Sequence, residues 1–173
     1  MNPELESALA SLCSNAEAFD KVIETFEHHR KAVRPVLRRL LRHPDPAWRR
    51  GAATAMARLK SSPAGALPDL LKLLRSPDAS AKIAAIAAID YLPPAARKKA
   101  VQPMIALLKS AQTGLPAFTR LRANLPRAIA AHFLAAHGGD AGIAALKKVA
   151  RRRRDPMAHQ IDGALRSAMS GRV

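Results

Sequence analysis

Cysteine, aromatic residues and long apolar runs are all scarce in this sequence. A single cysteine, Cys13, excludes an internal disulfide framework and a cysteine-rich zinc site. Aromatic residues make up 3% of the chain, too few for a cradle of stacked nucleobases. No apolar stretch approaches the roughly 18 residues of a membrane span, and no signal-peptide pattern opens the sequence. We therefore expect a soluble, cytoplasmic protein that does not bind membranes.

Motifs of catalysis and cofactor binding are missing as well. The sequence has no phosphate-binding glycine loop and no nucleophile paired with a base at a recognisable spacing. Its histidines are scattered, and His132 and His137 lack the i,i+4 spacing of a helical metal site. We therefore predict a protein that is not an enzyme and has no cofactor, catalytic residue or metal ligand.

Helix-forming residues and positive charge are abundant instead. Ala, Leu, Arg and Lys are frequent, and β-branched or aromatic runs typical of strands are absent, so the composition predicts an all-α protein. The net charge is +16, but residues 1–29 hold six acidic residues and only one basic residue. This asymmetry divides the chain into an acidic N-terminal helical cap, residues 1–30, and a basic body, residues 31–173, which share one core.

Internal repeats organise the basic body. Residues 34–45 align with residues 67–78, which gives a period of about 33 residues, and a third copy follows at residues 102–110. Each of the first two copies has proline near the start of a helix and a Pro-Asp turn before a second amphipathic helix. One such pair cannot bury its apolar face alone, so neighbouring pairs must stack into a continuous core.

The Pro-x-Leu-x-x-Leu-Leu helix, the turn aspartate and the Ala-rich second helix resemble the HEAT-repeat pattern, in the short form of phycobilisome-lyase-like proteins. The resemblance covers roughly residues 31–170 and implies an α-solenoid of about four helix pairs. It also implies that first helices form an outer, convex layer and second helices an inner, concave layer. It says little about function, because this fold hosts many roles.

Basic residues cluster where first helices end and second helices begin, which places them along one edge of the predicted solenoid. Four stacked pairs would make a basic ridge roughly 30–40 Å long, close to one turn of duplex DNA. We therefore predict a binding module for nucleic-acid phosphates, without base readout. A purely solvated edge is the open alternative, because the helix dipole alone favours bases at helix C-termini. The candidate anion-binding residues are Arg42, Arg49, Arg50, Arg75, Lys82, Arg122, Arg151, Arg152, Arg153 and Arg154.

A protein-interaction adaptor is the competing interpretation. The helix over residues 79–89 is apolar on nearly all sides, which is typical of a helix covered on two faces. An acidic or apolar protein partner, or a second copy of the chain in a homodimer, would then bind the concave face. The candidate partner-binding residues are Arg50, Ile83, Ala87 and Arg127.

Overall fold

A computed structural model describes residues 7–8, 11, 16–111, 115–152 and 155–170 of the 173-residue chain. Within the predicted N-terminal cap, residues 1–6, 9–10 and 12–15, including Cys13, lie outside these described residues. All regular structure within them is helical, which confirms the predicted all-α class. The α-helices are α1 (Ala16–His28), α2 (Arg30–Leu40), α3 (Pro46–Arg58), α4 (Leu67–Leu73, after a 3₁₀ turn at Ala64–Ala66), α5 (Ala79–Asp90), α6 (Pro94–Lys109), α7 (Ala117–His137), α8 (Gly139–Ala150) and α9 (Ala158–Ser170).

The helices after α1 form four pairs, α2/α3, α4/α5, α6/α7 and α8/α9, stacked one on the next. Consecutive second helices pack closely, α3 on α5, α5 on α7 and α7 on α9, whereas consecutive first helices contact each other much less. The second helices therefore form the inner layer and the first helices the outer layer. This arrangement confirms the predicted α-solenoid of about four pairs.

The turn aspartates act as helix caps. Asp45 Oδ1 accepts a hydrogen bond from the Ala47 N–H at 2.8 Å, and Asp78 Oδ1 accepts one from the Ser80 N–H at 2.9 Å. Such a cap satisfies one of the four N–H groups that the first turn of a helix leaves free. The turn before α7 has no aspartate, and α7 begins directly after Pro116. The regular pairs and the irregular third pair therefore start their second helices by different local chemistry.

Side-chain size divides the core between the two layers. Most buried residues of α3 and α5 are alanines, whereas α2 and α4 bury mainly leucine and valine. Because alanine lets helix axes approach closely, the inner helices can pack tightly against one another. Helix α1 joins the same core through Val22 and Phe26, which are 3% and 0% exposed.

Candidate binding surfaces

The four within-pair turns lie along one edge of the stack, which we call the turn edge. All first helices occupy one layer and all second helices the other, so each pair reverses direction on the same side. Every one of these turns carries an exposed base, either in the turn or on the last residue of the preceding helix. These bases are Arg42, Arg75, Lys109, Arg151 and Arg152. Arg153 and Arg154, which were also predicted to bind anions, lie outside the described residues.

A cavity of about 570 Å³ opens on the turn edge between the first two pairs, and we call it the turn pocket. It lies between the α2–α3 turn and the α4–α5 turn, next to the C-terminal ends of α2 and α4. The turn pocket is lined by Leu41, Arg42, His43, Pro44, Arg49, Asp69, Lys72, Leu73, Arg75, Ser76 and Pro77. Three predicted anion-binding residues, Arg42, Arg49 and Arg75, are thus brought together.

Two arginines of the turn pocket are held by other groups of the protein. Arg42 Nε donates to both carboxylate oxygens of Asp69, at 3.0 and 2.9 Å. Arg49 is half-buried, and its Nη1 donates to the carbonyl oxygens of His43 at 2.7 Å and Pro44 at 2.5 Å. Because these bonds fix the two guanidinium groups, the pocket presents oriented cations rather than freely rotating ones.

The other predicted anion-binding residues are dispersed. Arg50 does not line the turn pocket, because it lies in a groove on the inner layer. Lys82 is half-buried near the start of α5, and Arg122 is exposed on α7. The predicted set therefore combines members of two surfaces, and only part of it forms a single site.

The inner layer has a groove of about 450 Å³ between α3 and α5, which we call the inner groove. It is lined by Arg50, Thr54, Ala57, Arg58, Ser80, Ile83, Ala84, Ala87 and Tyr91. Three of the four predicted partner-binding residues, Arg50, Ile83 and Ala87, therefore share one surface. Both groove arginines have an acidic partner: Arg50 Nη1 lies 3.1 Å from Asp78 Oδ2, and Arg58 Nη2 lies 3.1 Å from Asp20 Oδ1 of α1.

The expected exposure of Arg127 on the inner surface is wrong. Arg127 is only 1% exposed, and its Nη1 and Nη2 donate to the two Asp155 carboxylate oxygens at 2.9 and 2.6 Å. Its Nε donates to the Leu108 carbonyl oxygen at 2.9 Å, and Nη1 also donates to Asn124 Oδ1 at 3.0 Å. A buried guanidinium requires such a complete set of acceptors, and here Leu108 of α6, Asn124 of α7 and Asp155 of the α8–α9 turn supply them.

The register of α7 explains this error. Leu121 and Leu125 are 54% and 43% exposed, whereas Asn124 and Arg127 on the same helix are buried. Helix α7 has 21 residues against 12 in α5, so the two second helices are not equivalent repeats. The buried face of α7 excludes these two leucines and includes Arg127.

Burial and the neighbouring hydrogen bonds and cations have opposite effects on the pKa of the Asp155 carboxyl. Burial raises its pKa, but the hydrogen bonds from Arg127 and from the Met157 N–H, together with the nearby charges of Arg127 and Arg152, outweigh burial. The net effect lowers the pKa of Asp155 below its ordinary value of 3.8. Asp155 is therefore ionised at neutral pH and compensates the charge of Arg127.

Two residues outside the predicted sets of binding residues also lie on these surfaces. Lys72, one of the bases near the end of a first helix, lines the turn pocket, and its i,i+3 spacing from Arg75 on α4 is the signal that would have added it to the predicted site. Tyr91, 39% exposed, lines the inner groove at the end of α5. Its position follows from the packing of α5 on α3 and has no comparable signal in the sequence.

Stacked helix pairs with capped turns define an α-solenoid repeat protein. A family model described as HEAT repeats matches residues 3–90. The chain belongs to the HEAT-repeat family, and the match supports that family and not the narrower phycobilisome-lyase-like form. HEAT repeats generally act as scaffolds for protein–protein interaction.

Curated proteins and solved structures do not extend the assignment beyond the HEAT-repeat family. No curated protein matches the sequence. Among solved structures, the crystal structure of an engineered protein is similar, with a TM-score of 0.46 and 19% identity over 99% of this chain and 98% of that chain. In the part of the chain that the structure describes, no helix is both long and apolar enough to cross a bilayer. Within the same residues, no cluster of three or more His, Cys, Asp and Glu side chains could hold a metal ion.

Proposed function

We propose that the protein binds the phosphate backbone of nucleic acids along the turn edge, without reading the base sequence. One observation carries this proposal: each of the four within-pair turns carries an exposed base, namely Arg42, Arg75, Lys109 and the pair Arg151 and Arg152. Helices in contact lie about 8–10 Å apart, so the turns repeat at a spacing that lets successive bases reach different phosphates of one strand or duplex. Contacts of this kind position a nucleic acid but do not specify its sequence.

Internal ion pairs leave the turn edge positively charged. Arg42 shares its charge with Asp69, but the side chains of Lys72, Arg75 and Lys109 have no hydrogen-bond or ion-pair partner among the described residues. The whole chain carries 29 basic and 13 acidic residues, so the remaining bases far outnumber the acids. Neutralising phosphates releases their counterions, and binding should therefore weaken steeply as salt concentration rises.

Two lysines on the same helix provide a matched test. Lys109 ends α6 at the turn edge, whereas Lys98 is exposed near the opposite end of α6. We expect Lys109→Gln to lower the affinity for a fluorescent 20-bp duplex and to reduce the slope of log K against log salt by about one. Lys98→Gln should leave both quantities close to wild type. Equal losses in the two variants, or an affinity that hardly changes with salt, would refute binding at the turn edge.

A protein partner in the inner groove is the second candidate function. The apolar floor of Ile83, Ala84 and Ala87 between Arg50 and Arg58 suits a partner segment with apolar and acidic side chains. The general role of HEAT repeats as interaction scaffolds supports the same surface. A second copy of this chain is one such occupant, so the oligomeric state also bears on it.

The inner groove can be tested separately from the turn edge. Ile83→Glu places a charge on the groove floor and should abolish copurification of a protein partner, or convert a homodimer to a monomer in light scattering. Arg75→Gln, which alters the turn edge alone, should retain that partner. Partner binding that survives Ile83→Glu would exclude the inner groove.

A further inference from the structure

We propose that the turn pocket binds the terminal phosphate monoester of a nucleic-acid strand. This inference rests on the proposed binding of nucleic acids along the turn edge, and it assigns the pocket a ligand group different from the internal phosphodiesters of the backbone. The charge of the pocket, its shape, its hydrogen-bond donors and its place along the turn edge favour this ligand.

The charge of the turn pocket suits a doubly negative ligand. Four basic side chains line it, Arg42, Arg49, Lys72 and Arg75, and Asp69 is its one acidic lining residue. A terminal phosphate monoester carries a charge of about −1.5 to −2 at neutral pH, whereas an internal diester carries −1. The excess of three positive charges is therefore compensated better by a strand terminus than by an internal phosphodiester.

The shape of the turn pocket also favours a group that projects from a chain end. The two turns, at His43 and Pro44 and at Ser76 and Pro77, stand on either side of the cavity, and Leu41 and Leu73 contribute apolar surface to its lining. A terminal phosphate has one substituent and can enter such a recess with its attached sugar facing outward. An internal phosphodiester has substituents on two sides, so the strand would have to enter and leave the same recess.

Hydrogen-bond donors remain available in the turn pocket. Arg42 uses its Nε for Asp69, so its two terminal nitrogens have no hydrogen-bond partner among the described residues. His43 Nδ1 accepts a bond from the Asp45 N–H at 3.2 Å, which leaves the His43 proton on Nε2. Ser76 Oγ accepts a bond from the Asp78 N–H at 3.2 Å and keeps its own hydrogen to donate. Phosphate oxygens accept several such bonds at once, and arginine geometry suits them well.

The position of the turn pocket points to a strand terminus. The pocket lies between the first two of the four turns, and the exposed bases of the third and fourth turns continue along the same edge. A strand whose end is seated in the pocket can therefore place its following phosphates near Lys109, Arg151 and Arg152. This continuity with the turn edge favours a nucleic acid over a phosphorylated protein segment.

The test compares single-stranded 12-mers of one sequence that carry a 5′-phosphate, a 3′-phosphate or no terminal phosphate. In fluorescence anisotropy titrations of the full chain, we expect one of the phosphorylated strands to bind about tenfold more tightly than the unphosphorylated strand. Lys72→Gln, which changes an exposed side chain of the pocket, should abolish this preference. Lys109→Gln, which changes the turn edge outside the pocket, should weaken the binding of all three strands equally and keep the preference for the phosphorylated strand. Circular dichroism of both variants is the control for correct folding.

Other outcomes of this experiment would overturn the terminal-phosphate site, the proposed function or both. Equal affinity for all three strands overturns the terminal-phosphate site and leaves the proposed function standing. A preference that survives Lys72→Gln shows a general charge effect and also overturns the site. Failure of every strand to bind refutes the proposed function and this inference with it. A phosphoserine peptide that competes as well as the phosphorylated strand overturns the assignment to nucleic acid.

Discussion

Two ion pairs join consecutive helix pairs in the same way, yet they lie in different surroundings. Arg50 of α3 contacts Asp78, which caps α5, and Arg127 of α7 contacts Asp155, which precedes α9; both partners are 28 residues apart. The side chains of Arg50 and Asp78 are 47% and 39% exposed, whereas those of Arg127 and Asp155 are each 1% exposed. Arg50 makes one contact at 3.1 Å, and Arg127 makes a bidentate contact with two further acceptors.

The two pairs share a sequence separation of 28 residues, but their burial determines how much each contact contributes to stability. Water screens the Arg50–Asp78 pair, so it adds little stability and can exchange its partner for a ligand. The Arg127–Asp155 pair has no water to replace a missing partner, so each member depends on the other. The first pair therefore belongs to the exposed surface at the inner groove, and the second belongs to the core.

The largest expected effect comes from breaking the buried pair. Arg127→Met should lower the free energy of unfolding by about 3–5 kcal/mol, because it leaves the Asp155 carboxylate buried without its cation. Urea denaturation at neutral pH measures the change. Arg122→Met, which alters an exposed arginine on the same helix, should change stability by less than about 0.5 kcal/mol. Similar losses in both variants would contradict the special role of burial.

An intermediate effect is expected from acid. Because the folded-state pKa of Asp155 lies below its unfolded value of about 3.9, its ionised form stabilises the fold above that value. This contribution is lost as the pH falls through the folded-state pKa. We therefore expect the stability gap between wild type and Asp155→Asn to be widest at neutral pH and to shrink below about pH 4. A gap that stays constant in urea denaturation down to pH 2.5 would show that Asp155 does not titrate in this way.

The smallest effect is expected from the exposed pair. Arg50→Met should cost less than about 1 kcal/mol of unfolding free energy, because exposed ion pairs contribute about 0–1 kcal/mol. Urea denaturation in parallel with Arg127→Met makes the comparison direct. A loss of about 3 kcal/mol in Arg50→Met would mean that the two pairs are energetically alike despite their different exposure.

The sequence predicted the parts of the fold that depend on local patterns. The Pro-Asp turns at residues 44–45 and 77–78 and the 33-residue period correctly predicted the first two helix pairs. Arg127 was misplaced because apolar periodicity treats every arginine as exposed, and only its contact with a distant Asp155 makes burial possible. The turn pocket was not predicted as a cavity, because it forms where two turns approach each other. The bases that line it were recognised only as members of an edge.

The division of the core into small and large side chains has a geometric consequence. In the first two helix pairs, the inner side where alanines of α3 and α5 meet is thinner than the outer side, which leucine and valine of α2 and α4 fill. Helix pairs that are thinner on one side than on the other form a curved stack. The difference in thickness between the two sides sets the radius of curvature. Ala85→Leu would enlarge a buried side chain of α5 in the inner layer, thicken that side of the stack and reduce its curvature. The choice between alanine and leucine at these buried positions therefore influences how the first two pairs stack.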